Sequence, residues 1–506
     1  MNIFKGSSSG QLDTTPIEPA GFSPVHGHEK DLEMPTRKEE PQYEVEIAAT
    51  RGTYRVYKRR FFGLLQLVLL NIIISWDWLT FSSISSTSAE YFNVTESTIN
   101  WLSTAFLFAF CAATPVVMYM LNKGGPKPVI ITASVLILVG NWVRYAGTKA
   151  NNGTFSVVMF GQLLLGLAQP FALSAPTRYS DLWFTEQGRT SATALATLAN
   201  PLGAAVGQLV DSFWAVTPGE IPGMVLWISV ISTIACIPSF FIPARPPTPA
   251  SASSIVSKTP FPESAKGIIK IREFWLVFIP FSVYVGFFNS VSTLINQILY
   301  PYGFSETEAG IAGGVLIVVG LVASAIVSPI NDRYKKYLLV IRICIPIHAI
   351  SYIALYFAPS SPFGIAPSIV VCGLLGASAF SILPVVLEFL VEITYPYSPE
   401  ISSTLLWMGG QLLGGIFTII QSELKAGQDA NPPLNMKRAL IFSAVIACVA
   451  AVFPLTLNVI GPKIVNRRLE ADQNRCLDVQ LESHVNNQSH SPTANDQKPR
   501  EDRFEN

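Results

Sequence analysis

The chain reads FFGLLQLVLLNIIISWDWLTFSSI from Phe61 to Ile84, with Asp77 as its single charged side chain. About 20 residues of apolar helix cross a lipid bilayer, so this stretch is long enough to span a membrane. Similar stretches recur and predict an all-α membrane protein. We place twelve helices at 61–84, 99–121, 128–146, 155–176, 189–213, 223–243, 272–297, 307–330, 338–358, 363–390, 400–424 and 437–462.

The composition agrees with a membrane protein. Hydrophobic residues make up 50% of the 506 positions and charged residues 13%, whereas soluble domains carry about 25% charged residues. About half of the charged residues lie in residues 1–60 and 463–506, which leaves too few to cover a soluble surface between them. The net charge is zero, so we expect the lipid bilayer, and no nucleic acid, as a partner.

The polar segments divide the chain into five parts. Polar, Pro- and Ser-rich residues 243–270 separate a first half, 57–242, from a second, 271–462. Residues 1–56 and 463–506 have the composition of disordered tails. Lys and Arg accumulate before the first predicted helix and in alternate loops, which predicts that both tails and the central loop are cytosolic.

Two Asn-x-Thr sequons fall in loops that this topology places outside the cytosol. They begin at Asn93 and Asn152, which are therefore candidate glycosylation sites. No removable signal peptide precedes the first apolar stretch, so that helix is expected to direct insertion. We expect the plasma membrane, with a vacuolar or other endomembrane location as the alternative.

Motifs for enzymes are absent from the sequence. It has no Walker loop, no nucleophile elbow and no cluster of metal ligands, and its cysteines form no CxxC pair. We therefore expect no catalytic residues, no cofactor and no bound metal. If the protein moves a solute, concentration gradients must supply the energy.

Two short basic loops occupy the same place in each half, between its second and third predicted helices. They contain Asn122 and Lys123 in the first half, and Asp332 and Arg333 in the second. Both are similar to the basic loop of the major facilitator superfamily, whose halves are parallel repeats. This resemblance implies two six-helix bundles related by pseudo-two-fold symmetry, a monomer, and a role for these four residues in gating.

Polar residues recur at helical spacing in four predicted helices. In a bilayer such faces either line a cavity or pack against a neighbouring helix. Since the first, fourth and seventh helices line the cavity in the facilitator architecture, we interpret the faces as a solute path. The faces comprise Asn71, Ser75, Trp78 and Ser82; Gln162, Gly166 and Gln169; Asn289, Ser292, Thr293 and Asn296; and Gln411, Gly414, Gly415 and Thr418.

Carboxylates are the charged groups that we expect within the membrane. Asp77 lies in the first predicted helix, and Glu388 and Glu392 lie near the cytosolic end of the tenth. We expect no buried cation beside them, a pattern that suits a cationic or zwitterionic solute, or a proton. Each is a candidate proton or cation site. The alternative for Asp77 is a hydrogen bond to a neighbouring helix.

A more specific resemblance covers about Tyr57 to Ser422. Its motifs include Ile99-Asn100-Trp101-Leu102-Ser103, Asn200-Pro201-Leu202-Gly203, Ser290-Val291-Ser292-Thr293-Leu294 and Glu392-Ile393-Thr394-Tyr395-Pro396. The chain resembles the feline leukaemia virus subgroup C receptor family, solute carrier family 49, whose members carry choline, haem or vitamins. That family builds its solute pocket from a Trp, a Gln, an aromatic residue and a Gln. The resemblance places these at Trp78, Gln169, Asn289 and Gln411.

Asn289 departs from the family, because the choline carriers have Tyr at this position. Loss of one aromatic wall weakens the binding of a quaternary ammonium by roughly 0.5–2 kcal/mol. We therefore expect a transporter of a small organic amine, such as choline or ethanolamine, that works by alternating access. The alternatives are a proton-coupled vitamin or haem transporter and a receptor or sensor that transports nothing.

Overall fold

The computed structural model describes residues 56–248, 261–334, 336–394, 397 and 399–456. Apart from Val56, the predicted tails lie outside these residues, as does 249–260 of the central loop. Within the described part, twelve helices are long and apolar enough to cross a membrane. Their α-helical parts are α1 Arg59–Leu79, α2 Glu96–Gly124, α3 Pro126–Lys149, α4 Phe155–Trp183, α5 Glu186–Val206, α6 Ile221–Cys236, α7 Arg272–Leu299, α8 Glu306–Tyr334, α9 Tyr337–Phe357, α10 Ala366–Thr394, α11 Pro399–Glu423 and α12 Lys437–Thr456. With the turns that adjoin them, the fifth and sixth spans are Ser191–Trp214 and Pro218–Phe241.

The twelve-helix prediction is confirmed, although the first helix ends earlier than expected. α1 stops at Leu79 and is followed by a non-helical turn and a short helix, Ser85–Phe92. The turn is rich in Ser and Thr, whose hydroxyls compete for backbone hydrogen bonds, and Ser83 Oγ indeed donates to Thr80 O. α5 continues beyond its last α-helical residue through a π-helical turn, Gly207–Asp211. A second unexpected helix, Phe261–Ile269, lies in the central loop.

The helices of the second half repeat the packing of the first. α1 packs against α5 as α7 packs against α11, and α3 packs against α4 as α9 packs against α10. The pairs α3 with α6 and α9 with α12 correspond in the same way. The halves meet chiefly where α2 packs against α11 and where α5 packs against α8. These two contacts also correspond, because α8 is the counterpart of α2 and α11 is the counterpart of α5. This is the pseudo-two-fold arrangement expected for two six-helix bundles.

Small residues let the helices approach closely. A Cβ atom at Gly203 of α5 would collide with the carbonyl oxygen of Ile72 in α1. A Cβ atom at Gly376 of α10 would collide in the same way with the carbonyl oxygen of Leu316 in α8. Such contacts are typical of membrane bundles, where packing replaces the hydrophobic drive between helices.

The distribution of polar groups is that of a protein in lipid. Large apolar side chains such as Trp227, Ile234 and Ile350 face outward and are 60–66% exposed. Amides, hydroxyls and three ionisable side chains of the N-terminal half (Asp77, Arg144 and Asp211) are wholly buried. Polar groups inside a membrane bundle face other protein groups or a solute path.

Candidate solute site

The two tryptophans of α1 face different surroundings. Trp76 Nε1 donates to Asp211 Oδ1 at 2.8 Å, and its ring packs against that of Trp214, so Trp76 is held against the end of α5. Trp78 is 4% exposed, and its Nε1 has no hydrogen-bond partner. A buried indole N–H normally has a partner. Trp78 therefore offers an unused donor inside the bundle.

Gln169 of α4 offers an unused acceptor. Its side chain is 3% exposed, and its Oε1 lacks a partner. Two bonds fix the register of α1 on α4: Asn71 Nδ2 donates to Ala172 O at 3.0 Å, and Gln162 Nε2 donates to Asp77 O at 3.1 Å. Gln169 lies between these two contacts along α4.

The side chains of Trp78 and Gln169 lean toward each other along the bundle. The register above shows that α1 and α4 run in opposite directions. Cα–Cβ bonds tilt toward the N-terminus of their own helix, so the two side chains close part of the distance between them. Gln162 contacts the carbonyl of Asp77, which lies next to Trp78 in the chain. Gln169 lies seven residues further along α4, so its backbone is about 10 Å from this contact along the helix axis, at 1.5 Å per residue. A small organic molecule can occupy such a distance.

Asn289 of α7 and Gln411 of α11 contact each other directly. Asn289 Nδ2 donates to Gln411 Oε1 at 3.1 Å, and the two side chains are buried. Gly414 permits this pair, because a Cβ atom there would lie 2.9 Å from Cβ of Asn289. The second half thus contributes two amides that hold one another in place.

Both pairs lie at a similar depth. Asn296 Nδ2 donates to the carbonyl oxygen of Ser83 at 3.1 Å, which sets α7 against the turn that follows α1. Asn289 lies seven residues before Asn296, about 10 Å further into the bundle. Trp78 lies on the same side of Ser83. The four residues named by the family resemblance therefore lie at a similar depth within the bundle, two from each half.

The expectation that no cation is buried beside the carboxylates is wrong. Arg144 of α3 is wholly buried, and its Nη2 lies 2.8 Å from Asp77 Oδ1. Asn141 Nδ2 donates to Asp77 Oδ2 at 2.8 Å. Asp77 is thus bonded to a neighbouring helix, the alternative considered from the sequence. Arg144 was visible in the sequence as a charged residue inside the third predicted helix, and this position was the signal that it is buried.

The structure places the other two carboxylates in the last turns of α10. Glu388 and Glu392 are partly buried, and each interacts with other groups of the protein. They lie at the end of α10 that the sequence analysis places in the cytosol.

The predicted gating residues lie at helix ends. Asn122 and Lys123 are exposed in the last turn of α2, and Lys123 Nζ lies 4.8 Å from the ring centre of Tyr119. Arg333 is exposed in the last turn of α8, whereas the side chain of Asp332 lies outside the described residues.

Of the two sequons, the first is accessible. Asn93 is exposed and adopts a left-handed conformation just after the helix Ser85–Phe92. Asn152 ends the 3₁₀ turn Ala150–Asn152, and its side chain lies outside the described residues.

A polar contact between the halves was not found from the sequence. At the end of the bundle that carries the helix Ser85–Phe92, here called the 85–92 end, Glu306 of α8 caps that helix. Its Oε1 accepts from Ser86 N at 2.8 Å and from Thr87 N at 3.3 Å, and its Oε2 accepts from Thr87 Oγ1. Asn296 Nδ2 also donates to Glu306 Oε1 at 2.8 Å.

Two further contacts reinforce the 85–92 end. Asn100 and Gln297 form a reciprocal amide pair, with Gln297 Nε2 donating to Asn100 Oδ1 at 2.7 Å. Lys425 forms an ion pair with Glu96. In the sequence, the available signal for these contacts was the presence of acidic and amide residues at the ends of predicted helices. Their partners lie in the other half, hundreds of positions away.

Comparisons with known proteins agree with the fold. A sequence model of the Major Facilitator Superfamily matches residues 67–418. Solute carrier family 49 member A3 of Danio rerio is 32% identical over 74% of this chain and 81% of its own. The choline/ethanolamine transporter FLVCR1 of Felis catus is 31% identical over 72% of this chain and 68% of its own.

A solved structure, the D-xylose–proton symporter, superimposes with a TM-score of 0.61 at 14% identity, covering 78% of this chain and 97% of the symporter. This likeness concerns the fold. Together with the sequence relatives, it identifies a multi-pass membrane transporter of a small solute, and the protein is not an enzyme. The chain belongs to the major facilitator superfamily and, within it, to solute carrier family 49.

Proposed function

We propose that the protein transports a small cationic or zwitterionic amine, such as choline or ethanolamine, across the membrane by alternating access. The observation that carries this proposal is the pair of buried, unpartnered polar atoms Trp78 Nε1 and Gln169 Oε1. Buried donors and acceptors without a partner are costly, so their presence favours a ligand that completes them. Two relatives named as choline/ethanolamine transporters support the same solute class.

The chemistry of the four central residues suits such a solute. The face of the Trp78 ring attracts an ammonium group, an interaction of about 0.5–2 kcal/mol. The amides of Gln169 and Gln411 can bond a hydroxyl or an N–H group of the solute. The Asp77 carboxylate has no part in this site, because it is already bonded to Arg144 and Asn141.

The division of the site between the halves provides the mechanism. Trp78 and Gln169 belong to the first half, and Asn289 and Gln411 to the second. When the halves rock about the site, access to it passes from one side of the membrane to the other. In the present structure Glu306 of the second half bonds Ser86 and Thr87 of the first half at the 85–92 end, so we assign this state as closed at that end.

The orientation in the membrane is part of the proposal. The distribution of Lys and Arg supports cytosolic tails, and the 85–92 end, with the exposed Asn93, then faces outward. We propose the plasma membrane as the location. A fluorescent fusion confined to vacuoles or another internal membrane would contradict this location without affecting the transport activity.

Uptake into proteoliposomes tests the function. Purified protein should take up labelled choline or ethanolamine faster than protein-free liposomes, and the unlabelled amine should compete. Pyridoxine and haem serve as the alternative solutes, each measured with and without an inward proton gradient. Uptake of either in place of the amines would replace the proposed solute. Absence of flux for all four, beside a signalling response in cells, would favour the receptor.

A further inference from the structure

α1 ends inside the bundle, and its last carbonyl groups need partners. The last four carbonyls of a helix have no partner within that helix. The carbonyl oxygen of Asp77 accepts from Arg144 Nη1 at 2.9 Å and from Gln162 Nε2 at 3.1 Å. The carbonyl oxygen of Trp78 accepts from Ser103 Oγ at 3.2 Å. The peptide groups on both sides of Trp78 are thus held by α2, α3 and α4.

The groups that hold this helix end are themselves fixed. Arg144 Nη1 also donates to Gln162 Oε1 at 2.9 Å, so both polar atoms of the Gln162 amide are engaged. Arg144 Nη2 donates to Asn141 Oδ1 and contacts Asp77 Oδ1, each at 2.8 Å. Arg144, Asp77, Asn141 and Gln162 are all wholly buried.

The charges of this cluster match its place in the fold. A guanidinium at the C-terminal end of a helix complements the negative end of the helix dipole. The Asp77 carboxylate neutralises Arg144, which avoids an unpaired charge in the bundle. Gln162 belongs to the polar face that the sequence analysis assigned to a solute path. In the structure it faces the end of α1 instead.

The indole of Trp78 has no polar partner of its own, so the ring is placed by its backbone and by the apolar side chains around it. We propose that Arg144 and Gln162 are positioning residues that act through the carbonyl of Asp77 to orient Trp78 toward the solute. This inference rests on the proposed function, because Trp78 must contact the transported molecule. It predicts that loss of Gln162 weakens solute binding although Gln162 does not contact the solute.

Gln162→Leu is the test variant, since it removes the amide and leaves the ion pair between Asp77 and Arg144 intact. Its matched control is Gln66→Leu. Gln66 is another buried amide of the first half, which donates to Ala235 O at 2.6 Å and Ser239 Oγ at 2.7 Å. Both variants lose two buried hydrogen bonds, but only Gln162 holds the end of α1 that carries Trp78.

Choline uptake kinetics provide the first readout. Gln162→Leu should raise KM by roughly 3–10-fold with kcat within about twofold, whereas Gln66→Leu should leave KM unchanged. In a Trp78→Ala background, Gln162→Leu should have no further effect on KM, because its target is already gone. An equal KM effect in both backgrounds would overturn the proposal, since a general loss of stability acts independently of Trp78.

A second readout needs no solute and separates this inference from the proposed function. The protein is labelled with 5-fluorotryptophan, and the ¹⁹F resonance of Trp78 among the nine tryptophans is assigned with Trp78→Phe. Gln162→Leu should shift or broaden this resonance, and Gln66→Leu should not. An unchanged resonance in Gln162→Leu overturns the positioning role. A changed resonance in a protein that moves neither amine contradicts the proposed function and leaves the positioning role supported.

Discussion

Arg144 of α3 and Asp77 of α1 form an ion pair of 2.8 Å with both side chains wholly buried. The pair joins two helices of the first half directly beside Trp78, the residue on which the proposed site depends most. Removing two charges from water is expensive, and only close pairing with further hydrogen bonds offsets that cost. Asn141 and Gln162 supply those hydrogen bonds.

The first prediction concerns the stability of this pair. Arg144→Ala leaves Asp77 buried without its counter-charge and should lower the free energy of unfolding by about 3–5 kcal/mol. The double variant Asp77→Asn with Arg144→Gln removes both charges and should recover much of this loss. Thermal unfolding in detergent, followed with a thiol-reactive dye, measures the difference. Equal destabilisation by the single and double variants would show that charge pairing is not the cause.

The second prediction concerns Trp78. Trp78→Ala should weaken the binding of a cationic solute by about 1–2 kcal/mol, or roughly 5–30-fold. Trp78→Phe should retain part of the affinity because an aromatic face remains. Binding is measured per folded molecule by scintillation proximity with labelled choline.

Trp76→Ala is the matched control for Trp78, since both are buried tryptophans of α1. Trp76 bonds Asp211 and packs on Trp214, so its loss should lower the folded yield and leave affinity unchanged. If Trp76→Ala lowers affinity and Trp78→Ala does not, the assignment of the two faces of α1 is wrong.

The third prediction concerns the 85–92 end. Glu306→Ala removes the acceptor of three hydrogen bonds across the two halves, from Ser86 N, Thr87 N and Thr87 Oγ1, and should favour the state open at this end by about 1–2 kcal/mol, roughly 5–30-fold. Ser83 is wholly buried here, so Ser83→Cys reports opening. Its labelling by a membrane-impermeant thiol reagent, with the six native cysteines replaced, should become faster.

Glu308→Ala provides the control for Glu306 on the same helix. Glu308 Oε2 accepts from Ser305 N at 2.8 Å and from Ser305 Oγ at 3.0 Å. Both contacts lie within the first turn of α8 and do not join the two halves. Its replacement should leave the labelling of Cys at position 83 unchanged. Faster labelling in both variants would point to local unfolding of α8 in place of opening between the halves.

The sequence predicted the helices well because apolar length alone decides membrane spanning. It also predicted the polar faces of α7 and α11, since helical spacing shows which residues share a face. Spacing does not show which helix lies opposite. Asn289 and Gln411 are separated by more than a hundred residues, and their amide contact requires the folded structure.

The break in α1 and the partner of Arg144 were missed for a related reason. Hydropathy is nearly continuous through 80–84, whereas the helix ends at Leu79, where side chains from α3 and α4 bond the carbonyl of Asp77. Arg144 was visible as a charge within a predicted helix. Its pairing with Asp77 depends on how α3 packs beside α1, which no local pattern encodes.

The last prediction concerns the basic loop at the end of α8. By resemblance to the superfamily loop, Asp332 is expected to bond the ends of neighbouring helices in one state and to release them in the other. Asp332→Ala should therefore slow transport and leave solute affinity within a few fold. Transport rates in proteoliposomes and equilibrium binding of labelled choline, measured on the same preparation, separate these two quantities. Asn122→Asp, which gives the first loop the acidic residue of the second, serves as a control and should not slow transport. If affinity collapses in Asp332→Ala while the rate of exchange between states is unchanged, Asp332 belongs to the binding site and the gating assignment is wrong.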